Sequence, residues 1–208
     1  MIKSPIHLAV LVSGGGTTLQ NLIDAIAANK LDAKINLVVG SRENLGGIER
    51  AERAKIKSEI VERKKFADVS AFSRRVFELI DAADVDLVCL GGWLCLLEIP
   101  HKWQGRMMNI HPALLPSFGG KGMFGSHVHE AVIAHGCKVS GCTVHFVDGN
   151  YDCGPIVLQR TCEVKEDDTA ATLGARVFEL EKGAYPEAIE LFARGKLKIE
   201  GRRVRVLG

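Results

Sequence analysis

No block of basic residues dominates this chain. Its 208 residues include 27 Lys and Arg against 25 Asp and Glu, a formal net charge of +2. A charge balance this diffuse supplies no field for a nucleic-acid backbone or an anionic membrane. No nucleic-acid or membrane partner is expected, and any anionic ligand has to be held locally. Apolar runs long enough to span a bilayer are missing too: LVCLGGWLCLL at 87–97 falls short of the roughly 20 residues required. The six cysteines (89, 95, 137, 142, 153, 162) contain no CxxC pair, which removes the common zinc and redox spacings. A chain with 47% hydrophobic residues can build a core without disulfide staples, so free thiols and no metal are expected. The opening MIKSPIH has no small-residue cleavage site after the apolar run that follows, so a secretory signal is not read and the cytoplasm is the expected location. Linker-like stretches, internal repeats and low-complexity tracts are absent, which leaves a single domain, 1–208.

What is present alternates. IHLAVLV (6–12) is a short apolar run closed by SGGG (13–16), and TTLQNLIDAIAA (17–28) then repeats apolar residues at helical spacing with a hydroxyl residue available as N-cap. INLVV (35–39), SEIV (58–61) and DLVCL (86–90) read as further strands, with helices over 47–55 and 69–82 between them. Strands alternating with helices imply right-handed crossovers and an α/β, Rossmann-like fold with a mostly parallel central sheet flanked by helices. Beyond residue 105 the pattern changes. A short strand at 107–110 and a helix at 126–134 precede two runs, 140–147 and 155–164, that read as paired strands joined by the turn-rich DGNYDCG (148–154). A long amphipathic helix from 167 to 181, a second from Pro186 to Ala193, and a basic hairpin over 196–206 complete the chain.

Four stretches carry candidate chemistry. SGGGTT (13–18) leaves backbone N–H groups free at a helix start, where they and the helix dipole can hold a phosphate; it lacks the Lys of a Walker loop and the full dinucleotide spacing, so one phosphate monoester is the better fit. GKGMFG (120–125) matches GxGxxG but follows a proline-broken loop, and is expected to be a flexible loop over the site. HVH (127–129) is expected to be two solvated or capping histidines. The fourth stretch, MMNIHPALLPSF (107–118), sets Asn109 and His111 two apart at the end of a short strand, where ligands of open α/β sheets collect. An amide can donate to a developing oxyanion and an imidazole can shuttle a proton near neutral pH. Asp152, in the turn-rich loop, is placed to supply a carboxylate.

These residues resemble the folate-dependent formyltransferases. The resemblance runs from VLVSGGGTTLQNL (10–22) through NIHPALLP (109–116), VHFV (144–147) and YDCGP (151–155) to AYPE (184–187), and is nearest to members that formylate glycinamide ribonucleotide in purine biosynthesis. It implies attack of a glycyl amine on the formyl carbon of 10-formyltetrahydrofolate, a co-substrate, with no metal. By motif, Asn109 would bind the oxyanion, His111 would be the general acid, Asp152 would keep the imidazole protonated, and His145 would support them. Gly15, Gly16, Thr17 and Thr18 would hold the 5′-phosphate and Glu181 a ribose hydroxyl. The pteridine would lie along Trp93, Leu94, Cys95 and Leu96 and the loop Asp148, Gly149, Asn150 and Tyr151. Residues 1–105 would thus be mainly the phosphate-binding half and 106–208 mainly the folate-binding and catalytic half. Cys95 stands where the family commonly has arginine, another arginine expected over 66–70 is missing, Lys182 replaces a histidine, and the loop 118–127 is longer than in the commonest members. Water as acceptor (a deformylase), other amines, and a catalytically idle nucleotide-binding module are the alternatives.

Overall fold

The computed structural model describes residues 4–208. The chain forms two compact units, one ending at Met108 and the other running Asn109–Gly208.

The first unit holds β1 (Ile6–Val12), α1 (Thr17–Ala27), β2 (Ala33–Gly40), α2 (Gly46–Arg53), β3 (Ser58–Ile60), α3 (Val69–Asp81) and β4 (Leu87–Leu90). Its strands lie in the order β3-β2-β1-β4, and β1 pairs in parallel with both β2 and β4 while β2 pairs in parallel with β3. Every residue of β4, and all of β1 but His7, is buried, the reason these strands read as unbroken apolar runs rather than alternating ones. The helices cover them with one face each: Leu19 and Leu22 of α1, Ile48 and Ala51 of α2, and Phe72, Val76 and Ile80 of α3 are buried. Asp68 caps α3 by accepting from the Ala71 N–H at 2.7 Å. The expected hydroxyl cap of α1 is not used: its N-cap is Gly16, in the left-handed region at φ 72°, with no side-chain cap.

β5 (Met107–His111) begins in the first unit and ends in the second, which continues with α4 (Ser126–Ala134), β6 (Val139–Phe146), β7 (Ile156–Glu163), α5 (Ala170–Ala193), β8 (Leu197–Glu200) and β9 (Arg203–Val206). Strand order from β6 is β6-β7-β9-β8. β6 and β7 are antiparallel, as are β8 and β9, and β7 meets β9 in parallel, so this unit's sheet is mixed. Gly141 allows β6 to lie against β7, since a Cβ there would stand 1.9 Å from the Arg160 carbonyl oxygen. The C-terminal helices expected on either side of residue 182 are one continuous helix with Pro186 inside it. The ring removes a single backbone donor, while Tyr185, Pro186, Ala188 and Ile189 are all buried there, and that packing outweighs one lost hydrogen bond. A capping box on Thr169 and Thr172 sets the start.

Candidate active site

In the second unit, β5 and β6 deliver Asn109, His111 and His145, and the loop after β6 delivers Asp152. Asp152 is the hub. Its Oδ1 accepts from Asn109 Nδ2 at 3.3 Å and lies 3.6 Å from His145 Nε2. Its Oδ2 accepts from the Gly120 N–H at 2.9 Å and lies 3.6 Å from His111 Nδ1. Asp152 adopts φ 55°, a left-handed conformation costly for a non-glycine residue and common where a site over-determines the backbone. Gly119 permits the approach, for a Cβ on it would meet the Asp152 Cβ at 3.2 Å and Leu115 Cδ2 at 2.5 Å.

His111 and His145 are only 3% and 2% exposed. The His111 Nε2–H donates to the Phe118 carbonyl at 2.8 Å, leaving Nδ1 toward Asp152. Acceptors face both ring nitrogens, an arrangement the imidazolium satisfies at both ends. Burial works the other way and holds His111 below the ordinary histidine range, against the upward pull of Asp152 and the Phe118 carbonyl. For Asp152, burial would raise the carboxyl; the hydrogen bond to His145, the charge of His111 and the Gly120 N–H outweigh it and keep the group below its usual value. His145 Nδ1 lies 2.8 Å from the Phe146 carbonyl, so that nitrogen carries a proton, and Nε2 faces Asp152 Oδ1 at 3.6 Å and the Asn109 amide nitrogen at 3.2 Å. The Asn109 donation to Asp152 is a long bond, which an oxyanion can displace cheaply. An imidazole that gains a proton beside a carboxylate, next to an amide donor, suits a reaction that develops negative charge on oxygen.

The loop expected to be a flexible cover is tied to Asp152 through Gly120; Lys121 within it is exposed. HVH is half corrected. His127 is exposed and sits against the Phe124 ring, but His129 is 7% exposed, with no partner at Nδ1. The residue that makes room for it is Gly174 of α5, where a Cβ would lie 2.9 Å from the His129 ring. A helical pattern cannot tell a buried histidine from a surface one when the accommodating glycine lies 45 residues further along the chain. Glu181 is buried on α5, its carboxyl raised to about 7 by burial, and its charge in turn helps burial push the Cys142 thiol up to about 12. In the loop, Asp148 accepts from the Asn150 N–H at 2.8 Å, a local turn beside half-buried Tyr151 and exposed Gly149. All six cysteines are free thiols.

The first unit carries the glycine turn. Ser13 secures it: the Ser13 N–H donates to the Gly92 carbonyl at 3.2 Å, and Ser13 Oγ accepts from the Leu94 N–H at 3.0 Å. Gly15 and Thr17 are exposed, Thr18 is half-buried and Gly16 is buried. In the neighbouring segment the Trp93 ring is buried, stacked on Phe72 at 6.0 Å, while Leu94 and Leu96 stand 44% and 37% exposed on either side of half-buried Cys95. Trp93 therefore offers a ligand its backbone, and the two leucines offer apolar surface. Two elements of this turn escaped the sequence reading: Arg50 of α2, whose Nε donates to the Gly15 carbonyl at 2.8 Å, and the Gly46-Gly47 pair packed against it.

Among the described residues, no group of three or more His, Cys, Asp or Glu is arranged to hold a metal ion, and no helix is long and apolar enough to cross a membrane.

A parallel α/β unit with a glycine turn, and an Asn-His-Asp cluster at a strand end, define a group-transfer architecture. Residues 6–189 match the formyl transferase family, and the chain belongs to that family. It is 34% identical to the phosphoribosylglycinamide formyltransferase of Escherichia coli, over 93% of this chain and 90% of that protein. A crystal structure of glycinamide ribonucleotide transformylase 1 from Symbiobacterium toebii is 40% identical and superposes with a TM-score of 0.90, covering 98% of this chain and 94% of that one. The trifunctional purine biosynthetic protein adenosine-3 of Homo sapiens is 38% identical over 95% of this chain, which spans only 19% of that protein's length. A formyltetrahydrofolate deformylase from Pseudomonas syringae, 20% identical with a TM-score of 0.85, shares the fold.

Proposed function

We propose that this protein transfers the formyl group of 10-formyltetrahydrofolate to the glycyl amine of glycinamide ribonucleotide, a step of purine biosynthesis, in the cytoplasm. The observation that carries the proposal is the grouping of Asn109, His111 and His145 around the single carboxylate of Asp152. In the reaction the amine nitrogen bonds to the formyl carbon and the carbonyl π electrons move to oxygen. Asn109 turns one of its two N–H groups to that oxyanion, and His111, pulled up in basicity by the same charge, hydrogen-bonds it as the imidazolium. Asp152 offsets the imidazolium charge and takes the proton released by the amine. The oxyanion electrons then re-form the carbonyl as the bond from carbon to the folate nitrogen breaks; that nitrogen takes the bond's electron pair and the proton of His111, and the amine's proton passes from Asp152 to the imidazole.

The glycine turn of the first unit holds the 5′-phosphate through backbone N–H groups at Gly15 and Gly16 and the uncapped start of α1 at Thr17 and Thr18. Glu181 takes a ribose hydroxyl, a role that suits a carboxyl held partly protonated near neutral pH. Leu94 and Leu96, with the backbone of Trp93 and Cys95, give the pteridine an apolar surface, and the loop from Asp148 to Tyr151 reads its polar edge. The first unit thus supplies phosphate binding and the second the transfer chemistry. The test is a spectrophotometric assay with a 10-formyl folate, with and without glycinamide ribonucleotide. Formyl loss that requires the ribonucleotide is the expected result. Equal loss in its absence makes water the acceptor, and no loss in either case overturns the proposal.

A further inference from the structure

Helix α2 grips the glycine turn from one side. The Gly47 N–H donates to the Gly14 carbonyl at 3.1 Å, and Arg50 Nε donates to the Gly15 carbonyl at 2.8 Å. Arg50 Nη1 also donates to Gln20 Oε1 at 3.0 Å, and Gln20 Nε2 donates to Asp24 Oδ1 at 2.8 Å, so the guanidinium is braced against α1 as well. The contact between the turns is backbone on backbone: a Cβ on Gly16 would stand 2.5 Å from the Gly47 Cα, and one on Gly46 would stand 3.1 Å from the Gly15 oxygen.

A trans peptide is planar, with its C=O and N–H pointing in opposite directions. Fixing the Gly14 and Gly15 carbonyls toward α2 therefore directs the Gly15 and Gly16 N–H groups away from it. Nothing lies within 4 Å of a Cβ on Gly14 or Gly15 and glycine peptides rotate easily, so the groups at their carbonyls set the orientation of these peptides. The Gly14 carbonyl is bonded by a backbone N–H, whereas the Gly15 carbonyl, packed against the Gly46 backbone, is bonded by one side chain. Two successive N–H groups aimed together form an anion-binding concavity, and the guanidinium on the carbonyl side adds positive charge from behind the peptide.

We infer that Arg50 is a positioning residue for the phosphate of the ribonucleotide substrate: it fixes the Gly15-Gly16 peptide so that the Gly16 N–H points at the anion. This rests on the proposed phosphate role of the turn. Arg50 does not touch the reacting atoms, so its loss is read in binding of one substrate.

The experiment compares wild type, Arg50→Ala, Arg50→Lys and Gln20→Ala in steady-state assays with both substrates varied, with ribose 5-phosphate as a competing probe and unphosphorylated ribose as its control. Expected for Arg50→Ala is a rise in KM for the ribonucleotide of roughly ten- to a hundredfold, the scale of losing a charge-assisted hydrogen bond, with kcat and the folate KM nearly unchanged. Arg50→Lys, which can reach the Gly15 carbonyl but not Gln20 as well, falls between. A ribonucleotide KM unaltered in folded Arg50→Ala overturns the inference, and so do equal rises in both KM values. Should Arg50→Ala fail to fold, Arg50→Lys and Gln20→Ala decide: a selective rise in the ribonucleotide KM supports it and none overturns it. Ribose 5-phosphate that competes equally well in wild type and Arg50→Ala removes Arg50 alone. No competition in wild type removes the phosphate assignment and the inference together.

Discussion

Asp152→Asn removes one charge from the hub of the site and leaves its shape. The carboxylate lies 3.6 Å from His111 Nδ1 and is 12% exposed, so water screens it little. At that separation, with an effective dielectric constant of about 20, the attraction between carboxylate and imidazolium is about 4 to 5 kcal/mol. If half of this is expressed as the imidazolium stabilises the oxyanion in the transition state, turnover falls roughly fortyfold. The pH profile moves as well. Burial already holds His111 below the ordinary histidine range and Asp152 counteracts it; without the carboxylate His111 titrates lower still, so the protonated acid is lost at lower pH. The alkaline limb of kcat/KM, which reports the free enzyme, should shift downward. Stability changes with the opposite limb. The folded carboxyl is depressed, so its contribution is present above the unfolded value near 3.9 and is lost as pH falls through the folded value. The variant should be less stable than wild type at pH 7 and converge with it in acid. Steady-state rates from pH 5 to 9, with thermal melts across pH 2 to 7, test both. Turnover within about threefold of wild type, or an unmoved alkaline limb, refutes the coupling.

His111→Ala should lower kcat by about two to four orders of magnitude, the usual scale for a general acid or oxyanion donor, with a normal circular dichroism spectrum; near-normal turnover removes its role. Glu181 has a folded value raised to about 7 by burial, so it costs stability progressively as pH rises from the unfolded carboxyl range to about 7, and Glu181→Gln should be the more stable protein at pH 8 by up to about 3 kcal/mol while its ribonucleotide KM rises. Denaturant titrations of both forms at pH 4 and pH 8 check this, and a gap that does not widen with pH counts against it. Gly154→Ala places a Cβ 1.8 Å from the Phe146 carbonyl oxygen, so it should destabilise by more than about 2 kcal/mol and disturb the Asp152 loop; a melt unchanged from wild type contradicts the packing. Lys121→Ala tests whether that exposed side chain serves either anionic substrate: a role requires one KM to rise, and two unchanged values remove it.

Buried strands and amphipathic helices were legible because burial imposes a period. β4 is apolar throughout, and β1 is apolar but for His7, as both faces are covered, and the helix over Ser126–Ala134 coincides with its expected span. The missed features come from interactions that have no period. Gly16 caps α1 in place of a hydroxyl, because the turn must double back past Gly47 and only a residue without a Cβ clears that backbone. Pro186 normally ends a helix, yet α5 continues through it, since apolar burial on both sides of the proline outweighs one hydrogen bond. Tertiary contact overrode local propensity in both places.

The candidate site divides along the same line. Asn109 and His111 share a strand, so their spacing alone sets them on one face, and their short-range relation could be read directly. Asp152 joins them from 41 residues beyond His111, and the features that bring it in are small: Gly119, which leaves room for its Cβ, and Gly120, whose N–H binds its carboxylate. Arg50 stands to the glycine turn as these glycines stand to Asp152. In a sequence it is one of several basic residues on an exposed-looking helix, and its meaning lies in a carbonyl 35 positions away. Groups that do chemistry have distinctive side chains and announce themselves; groups that aim them act through backbone atoms every residue possesses, so they become visible only when distances replace sequence positions. Substitutions at Arg50 and Gly119 should therefore impair function without altering any recognisable motif.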